Sequence, residues 1–424
     1  VNDDRFAHSR RRAAPIGDRA FASLVFVYAS LLPFESISVS GIGLARIPGL
    51  VLTVVGGIIA LIRPGVSFTI PPLIFAPGML ALASYFWSVD PSATVEKSLT
   101  YASLGLITAL LIMLGTHRSV KAAIGGLSVG ATLAAFQVLR GYETQVFQIN
   151  DEIRSSAAHA NANDLAALFA VVGALVLGIA LKTQRRTSYL YLAVALVCFG
   201  ATVLTASRTA VASVLVAVVV GTSWGAKRLG RRLLTLASLG ACAFFVLSAV
   251  DLRILDRLRG TGDSVAAGDL NARVPLWRAG IEGWLDRPLT GWGSGSFPEI
   301  AFRHIGVRDA AHNTGVSVLA ELGIFGGAIL VVLIFAGMQA AWRASDPGLR
   351  LGFLLAELVL VINMALLSWD HRKLPWLILS LVLLERRLNS SGKRGAETVA
   401  GDVHTAESGS GLPRRGRTEP SECT

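Results

Sequence analysis

Apolar and polar positions alternate along the 424 residues in long blocks, not at the short periods of amphipathic helices or strands. About twelve apolar runs of roughly 17–22 residues stand out, the length a helix needs to cross a hydrocarbon core about 30 Å thick. They lie at 21–39, 46–63, 70–88, 98–116, 120–139, 163–181, 187–205, 208–225, 233–251, 313–337, 350–369 and 372–387. The second run holds Arg46 and Pro48 near its start. The seventh and eighth meet at Ser207-Arg208 with almost no loop. One long polar stretch, about 252–312, separates the ninth run from the tenth. The pattern predicts an all-α integral membrane protein of about 12 transmembrane helices with one long loop on one face. A basic arm (1–20) leads a membrane domain (21–387). The tail (388–424), poor in large apolar residues, is expected to be disordered.

Composition agrees with this reading. Hydrophobic residues make up 53% of the chain and charged residues 16%, against about 25% charged in a soluble domain. The net charge of +11 is therefore read as loop charge that orients the spans, and no nucleic-acid partner is expected. Cys198, Cys242 and Cys423 show no paired spacing, which excludes a disulfide framework or a zinc site. Arg10-Arg11-Arg12 precedes the first apolar run without a small-residue cleavage site, so the first helix is expected to be retained.

Basic residues fall on alternate loops. Arg5, Arg10–Arg12 and Arg19 are followed by Arg63, Arg118 with Lys121, Lys182 with Arg185 and Arg186, Lys227 to Arg232, Arg343 with Arg350, and Arg386 with Arg387. The intervening loops mix signs. Both termini are thus expected on the cytoplasmic side of the inner membrane and the long loop outside. Asp370-His371-Arg372-Lys373 breaks the rule, being basic on the outer side, and anion binding there would explain it.

Charge at a membrane edge is costly and needs a partner or a task. Arg154, Arg208, Arg273, Arg278 and Arg372 all map to the outer face, as do His312 and Asn313. Arginine forks bind phosphate oxygens bidentately and stay charged at any physiological pH. Arg208 reads either as a phosphate-gripping group or as an interfacial anchor. Arg273 and Trp277 share a helix face, and Val274, Trp277 and Ile281 form an apolar stripe ending near Pro288, as in an interfacial helix. Arg278 and Glu282, four apart, are expected to pair. His312 would begin the tenth helix, where the dipole favours neutral imidazole. It reads equally as a proton acceptor for a hydroxyl or as a helix-cap residue. Asn161 and Asn163 would cap the sixth helix or bind sugar hydroxyls, with capping the safer reading. His159 is less well placed. Gly323-x-x-x-Gly327 reads as a helix-packing signal. Gly291-Trp-Gly293-Ser-Gly295 follows no strand and reads as a tight turn, not a phosphate cradle. No DxD pair lies in the outer loops and no HExxH or CxxC is present, so neither metal nor cofactor is expected.

Together these stretches resemble the O-antigen ligase and polymerase superfamily of bacterial membrane glycosyltransferases. The resemblance rests on Asn161-Ala-Asn163, Ser207-Arg208-Thr209-Ala210, Arg273 with Trp277, Pro288-Leu-Thr-Gly291-Trp-Gly293-Ser-Gly-Ser-Phe297, His312-Asn313-Thr314 and Glu321-Leu-Gly323-Ile-Phe-Gly326. These lie at about 150–330; the first 140 residues match only in hydrophobicity. Ala162 stands where the family often has proline. The resemblance implies a GT-C-like architecture and metal-independent, inverting transfer of a glycan from an undecaprenyl-diphosphate carrier. The acceptor would be a hydroxyl on a glycan, lipid or other molecule, outside the membrane. It implies that Arg208 and Arg273 grip the diphosphate and His312 assists attack. Arg154, Asn161, Asn163, Trp277, Arg278, Asn313 and Arg372 would line the substrate site beside the membrane lipids. A polymerase of the same superfamily is the alternative. A secondary transporter or a lipid-linked sugar flippase fits less well, because charge gathers at one face instead of the bilayer midplane.

Overall fold

The computed structural model describes residues 15–39, 42–62, 71–140, 143–147, 152–156, 160–183, 186–225 and 273–390, with residues 237 and 240. Residues 1–14 of the N-terminal arm, His159, most of the expected ninth span, the first part of the long loop and the tail beyond 390 lie outside the described residues.

The protein is predominantly helical. Its helices are α1 (Pro15–Ser30), α2 (Arg46–Ile62), α3 (Ala76–Ala83), α4 (Pro91–Leu114), α5 (His117–Leu139), α6 (Ala162–Lys182), α7 (Thr187–Leu204), α8 (Arg208–Gly225), α9 (Arg273–Asp286), α10 (Phe297–Ile305), α11 (Thr314–Trp342), α12 (Pro347–Met364) and α13 (373–390). Two short antiparallel hairpins depart from the all-helical expectation. One pairs β1 (Ser38–Val39) with β2 (Ile42–Gly43). The other pairs β3 (Glu143–Phe147) with β4 (Glu152–Ser156) and places Arg154 opposite Gln145.

Among the described residues seven helices are long and apolar enough to cross a membrane: α4, α5, α6, α7, α8, α11 and α12. Twelve such helices were expected, and the shortfall has local causes. The 70–88 run is broken by Pro71, Pro72 and Pro77 into a 3-10 turn, the eight-residue α3 and a second 3-10 turn, since proline removes a donor and clashes with the preceding turn. The first run stops at Ser30, and Pro33 sits in a 3-10 turn beyond it. The last run is helical from 373 to 390, so its end lies slightly beyond the expected boundary. It carries Lys373, Glu385, Arg386 and Arg387.

Capping residues fix where the spans begin. Asp90, Asn161, Asn313 and Asp346 each accept a backbone N–H from the first turn of α4, α6, α11 and α12, at 2.8–3.0 Å, and Pro follows at the start of α4 and α12. The α6 helix is the central one, buried along nearly its whole length against α7, α8 and α12. It crosses α12 at Gly178 and Gly352; a Cβ at Gly178 would meet Gly352 N at 2.4 Å, so only small residues permit this approach. Parallel α4 and α13 are tied by Ser380 Oγ to Thr108 Oγ1 (2.9 Å) and by Arg387, which donates to the Met113 and Gly115 carbonyls (2.6 Å each).

The later part of the long polar stretch is a small packed unit. Helices α9 and α10 close over Leu276, Trp292, Phe297, Ile300, Ala301 and Ala311 against α11. The buried face of α9 is Leu276, Ala279, Gly280 and Gly283, while Ile281 is exposed. The expected Val274–Trp277–Ile281 stripe is therefore not the packing face. Tertiary contact with α10 and α11 chose a face lined with small residues.

Gly323 is not part of a helix-packing motif. It breaks α11 with φ 64° and ψ −161°, and the 288–293 turn inserts its backbone at the break. Ile324 N donates to Pro288 O (2.9 Å), Trp292 N to Ala320 O (3.0 Å) and Gly293 N to Glu321 O (2.9 Å). Gly291 has φ +65°, and a Cβ there would lie 2.4 Å from the Glu321 carbonyl. Gly291→Ala is expected to lower the melting temperature in detergent clearly more than Gly306→Ala. Gly306 has a similar φ of +72° with nothing within 4 Å of a Cβ, so it carries only the backbone penalty of about 1–2 kcal/mol. Equal shifts would show that the inserted turn tolerates a side chain.

Candidate functional site

The starts of α4, α6, α8, α11 and α13 and the ends of α7 and α12 gather at one end of the helix stack. Asn363, near the end of α12, donates to Ser213 in α8 (3.0 Å), which brings the Arg208 end of α8 to this edge. Thr314, at the start of α11, donates to Leu367 O (2.6 Å) and accepts from Trp369 N (2.9 Å). The 367–373 segment thus runs between α11 and α6 and meets charges from several loops.

Asp164 in the first turn of α6 accepts from Trp369 Nε1 (2.9 Å) and Arg372 (2.8 Å). Lys373 pairs with Glu35. Lys97 of α4 lies 2.7 Å from Glu321 and 2.9 Å from Asp370. Tyr101 donates to Asp370 at 2.5 Å, and His371 Nδ1 stands 3.5 Å from the other Asp370 oxygen. Burial alone would push the Asp370 carboxyl up; the charge of Lys97, then the nearby His371 and the hydrogen bond from Tyr101, outweigh it and hold the carboxyl well below the usual range. Within the basic 370–373 cluster, expected to attract an anion by its excess charge, Arg372 is paired with Asp164 of α6 and Lys373 with Glu35 of the segment after α1.

His312 takes φ 49°, a left-handed conformation uncommon for a side-chain-bearing residue. Its Nε2 lies 3.6 Å from Asp309. Burial, and next the nearby charge of Arg273, push its imidazole below the ordinary value, while Asp309 and Asp164 pull the other way. Among the described residues the other non-glycine at positive φ is Ala206 (52°), two before Arg208. Backbone strain thus sits beside both Arg208 and His312, and such strain concentrates at functional sites.

The structure brings Arg273, His312, Asp164 and Arg372 together and sets Arg208 on the same edge; Arg208 and Arg273 are half-buried. Other expected residues turn out to have local tasks. Asn161 and Asn313 are helix caps, and Asn163 gives its N–H to Asn161. Trp277 donates its indole N–H to Ala311 O (3.0 Å), which fixes the chain just before His312. Arg278 is exposed, and Glu282, its expected partner, lies 3.6 Å from His304. Arg154 belongs to β4. Sequence reasoning missed Lys97, Tyr101, Glu321, Asp370 and Asp164. The signal for Glu321 was a carboxylate inside an apolar run, where charge calls for a partner.

Three hollows adjoin this edge. A cavity of about 270 Å³, mostly apolar in lining but edged by polar groups, is bounded by Lys97, Gly295, Ser317, Glu321, Ser368 and His371 with Ala93, Phe297 and Pro298. A cleft of about 60 Å³ lies among Glu35, Asp164, Trp369, Arg372 and Lys373. A third, about 80 Å³ and mostly apolar, runs between α11, α12 and α13 past Leu330, Leu333, Leu360 and Leu379 to Trp369 and Asp370. Among the described residues no three His, Cys, Asp or Glu side chains gather as a metal-binding group.

The fold and site define a multi-pass membrane protein whose loops build one composite polar site at one end of the helices. Residues 193–331 match the family described as O-antigen ligase, a segment that contains Arg208, Arg273, His312 and Glu321. The match supports a resemblance of this segment to the O-antigen ligase and polymerase superfamily. No curated protein was found to match the chain.

Proposed function

We propose that this protein is an O-antigen ligase-like glycosyltransferase. It moves a glycan from an undecaprenyl-diphosphate carrier to an acceptor hydroxyl on the outer face of the cytoplasmic membrane, with inversion and without a metal. The observation that carries the reading is that His312, at the helix edge, feels the charges of Arg273 and of Asp164, which itself pairs with Arg372. In this reading Arg208, Arg273 and Arg372 hold the diphosphate and stabilise its charge as the glycosidic bond breaks. The carrier's lipid lies along the apolar hollow that ends at Trp369. His312, held neutral, accepts the proton of the attacking hydroxyl. The family match supports polymerase chemistry equally; the two differ in whether the acceptor is itself a growing glycan.

The test uses purified protein in detergent with lipid-linked donor extracted from the native host. Donor consumption with release of the carrier diphosphate, with no sealed compartment present, is expected. Activity restricted to sealed vesicles would instead mean transport. A ladder of lengthened glycans would identify the polymerase, and a single conjugate the ligase. In the same assay the rate is expected to hold as pH falls through the ordinary imidazole range near about 6.5. It should drop only further down, because burial and Arg273 lower the His312 value and the neutral form persists to lower pH. A half-loss at or above the ordinary value would count against His312 as the base.

A further inference from the structure

The cavity between α4, the 295–298 segment and α11, which sets a few charged and polar groups among apolar ones, is not accounted for by the diphosphate site. The two regions differ in charge. Around the cleft at Arg372, the cations Arg372 and Lys373 face Asp164 and Glu35. Around the cavity, Glu96 and Glu321 line the wall and Asp370 stands behind it, with Lys97 as the fixed cation and His371 as a titratable neighbour. Such an acidic excess repels phosphate and suits hydroxyl donors, since each carboxylate offers several acceptor sites.

The site is built, not merely exposed surface. Glu321 is 3% exposed and accepts from Lys97, from Gly295 N (2.8 Å) and from Ser317 (3.3 Å), so its carboxylate is held fixed. Ser368 is one of the residues around the cavity; its Oγ is covered by the surrounding chain and has no hydrogen-bond partner among the described residues. Ala310 and Ala311 form part of the wall, so the cavity reaches the residue next to His312. Its volume of about 270 Å³ is just below the roughly 300–1,000 Å³ of ligand pockets, enough for one ring and not for a chain.

We infer that the cavity bounded by Lys97, Gly295, Ser317, Glu321, Ser368 and His371 is the acceptor subsite and binds a neutral or amino-bearing sugar ring through its hydroxyls. This rests on the glycosyltransferase reading above: the cavity would present the acceptor hydroxyl from one side of His312, with the diphosphate on the other.

Two measurements test it. In the full-length Ser368→Cys variant in detergent, maleimide labelling at position 368 is followed by peptide mass spectrometry. Glucose, galactose, N-acetylglucosamine and glucosamine serve as probes, with pyrophosphate as the anion control. At least one sugar is expected to slow labelling several-fold, with pyrophosphate without effect. No protection by any sugar, or equal protection by pyrophosphate, overturns the assignment. This arm needs no transfer activity, so it can succeed where the glycosyltransferase reading fails, and the reverse. In the transfer assay, Ser368→Ala and Glu96→Gln are expected to raise the acceptor KM several-fold with the donor KM unchanged. A rise in donor KM instead would place the cavity on the donor path and overturn the inference.

Discussion

Arg208→Ala, Arg273→Ala and His312→Ala are each expected to abolish detectable glycan transfer while the protein remains in the membrane at normal level. The expected loss is electrostatic in origin. As the glycosidic bond breaks, negative charge grows on the departing diphosphate, and a fixed cation in a water-poor edge stabilises it without reorganising. Loss of one such donor costs about 10²–10³ in rate. Loss of a positioned general base costs about 10²–10⁴. Arg273 has a second effect, since its charge helps keep His312 neutral. Arg273→Lys should therefore retain more activity than Arg273→Ala, though not full activity, because an ammonium lacks the planar fork. The measurement is complementation of a deletion strain, scored by transferred glycan, with membrane abundance followed by immunoblot. Near-normal transfer by all three alanine variants would remove this site from consideration. Abolished transfer with the protein gone from the membrane would show a folding effect only.

The second large effect is on stability. Lys97→Met leaves two buried carboxylates, Glu321 and Asp370, without the cation that now lies within 3 Å of both. Removing one partner of a buried ion pair costs about 3–5 kcal/mol, because the remaining charge stays desolvated. Lys97 itself is only 11% exposed, so solvent cannot take its place. A sharp fall in melting temperature in detergent is expected. The triple variant Lys97→Met/Glu321→Gln/Asp370→Asn should recover much of the loss, since no net charge then remains buried in the triad. If the single variant were as stable as the parent, the triad would have to be open to water and the burial of Lys97 between Glu321 and Asp370 would be wrong.

These two sets of residues differ in how far the sequence reveals them. Arg208, Arg273 and His312 stand out because each interrupts an apolar or loop pattern where charge demands a reason, and local motifs surround each one. Asn161 was legible as a cap because capping is decided within three residues; at α11 the cap is Asn313, one residue beyond the expected His312. Lys97, Glu321 and Asp370 were not legible as a unit. Lys97 and Glu321 are 224 positions apart, and no periodicity links them. Trp277 was legible as important but not for its task, which depends on a carbonyl 34 residues away.

The sequence by itself determined the class of protein, the placement of most spans and the concentration of basic residues on one set of ends, because burial in a membrane is decided by the length and apolarity of single segments. It also marked the polar stretch before the tenth span. Only the tertiary structure decided which apolar runs are continuous helices and which face of α9 is buried. It also decided that Gly323 is a break that receives the Pro288–Gly293 turn, and that the charges at 370–373 are answered by Asp164, Glu35 and Lys97. Those outcomes depend on which loops meet at one end of the bundle. Pairing between distant charges follows from packing, and packing leaves no trace in the spacing of residues along the chain.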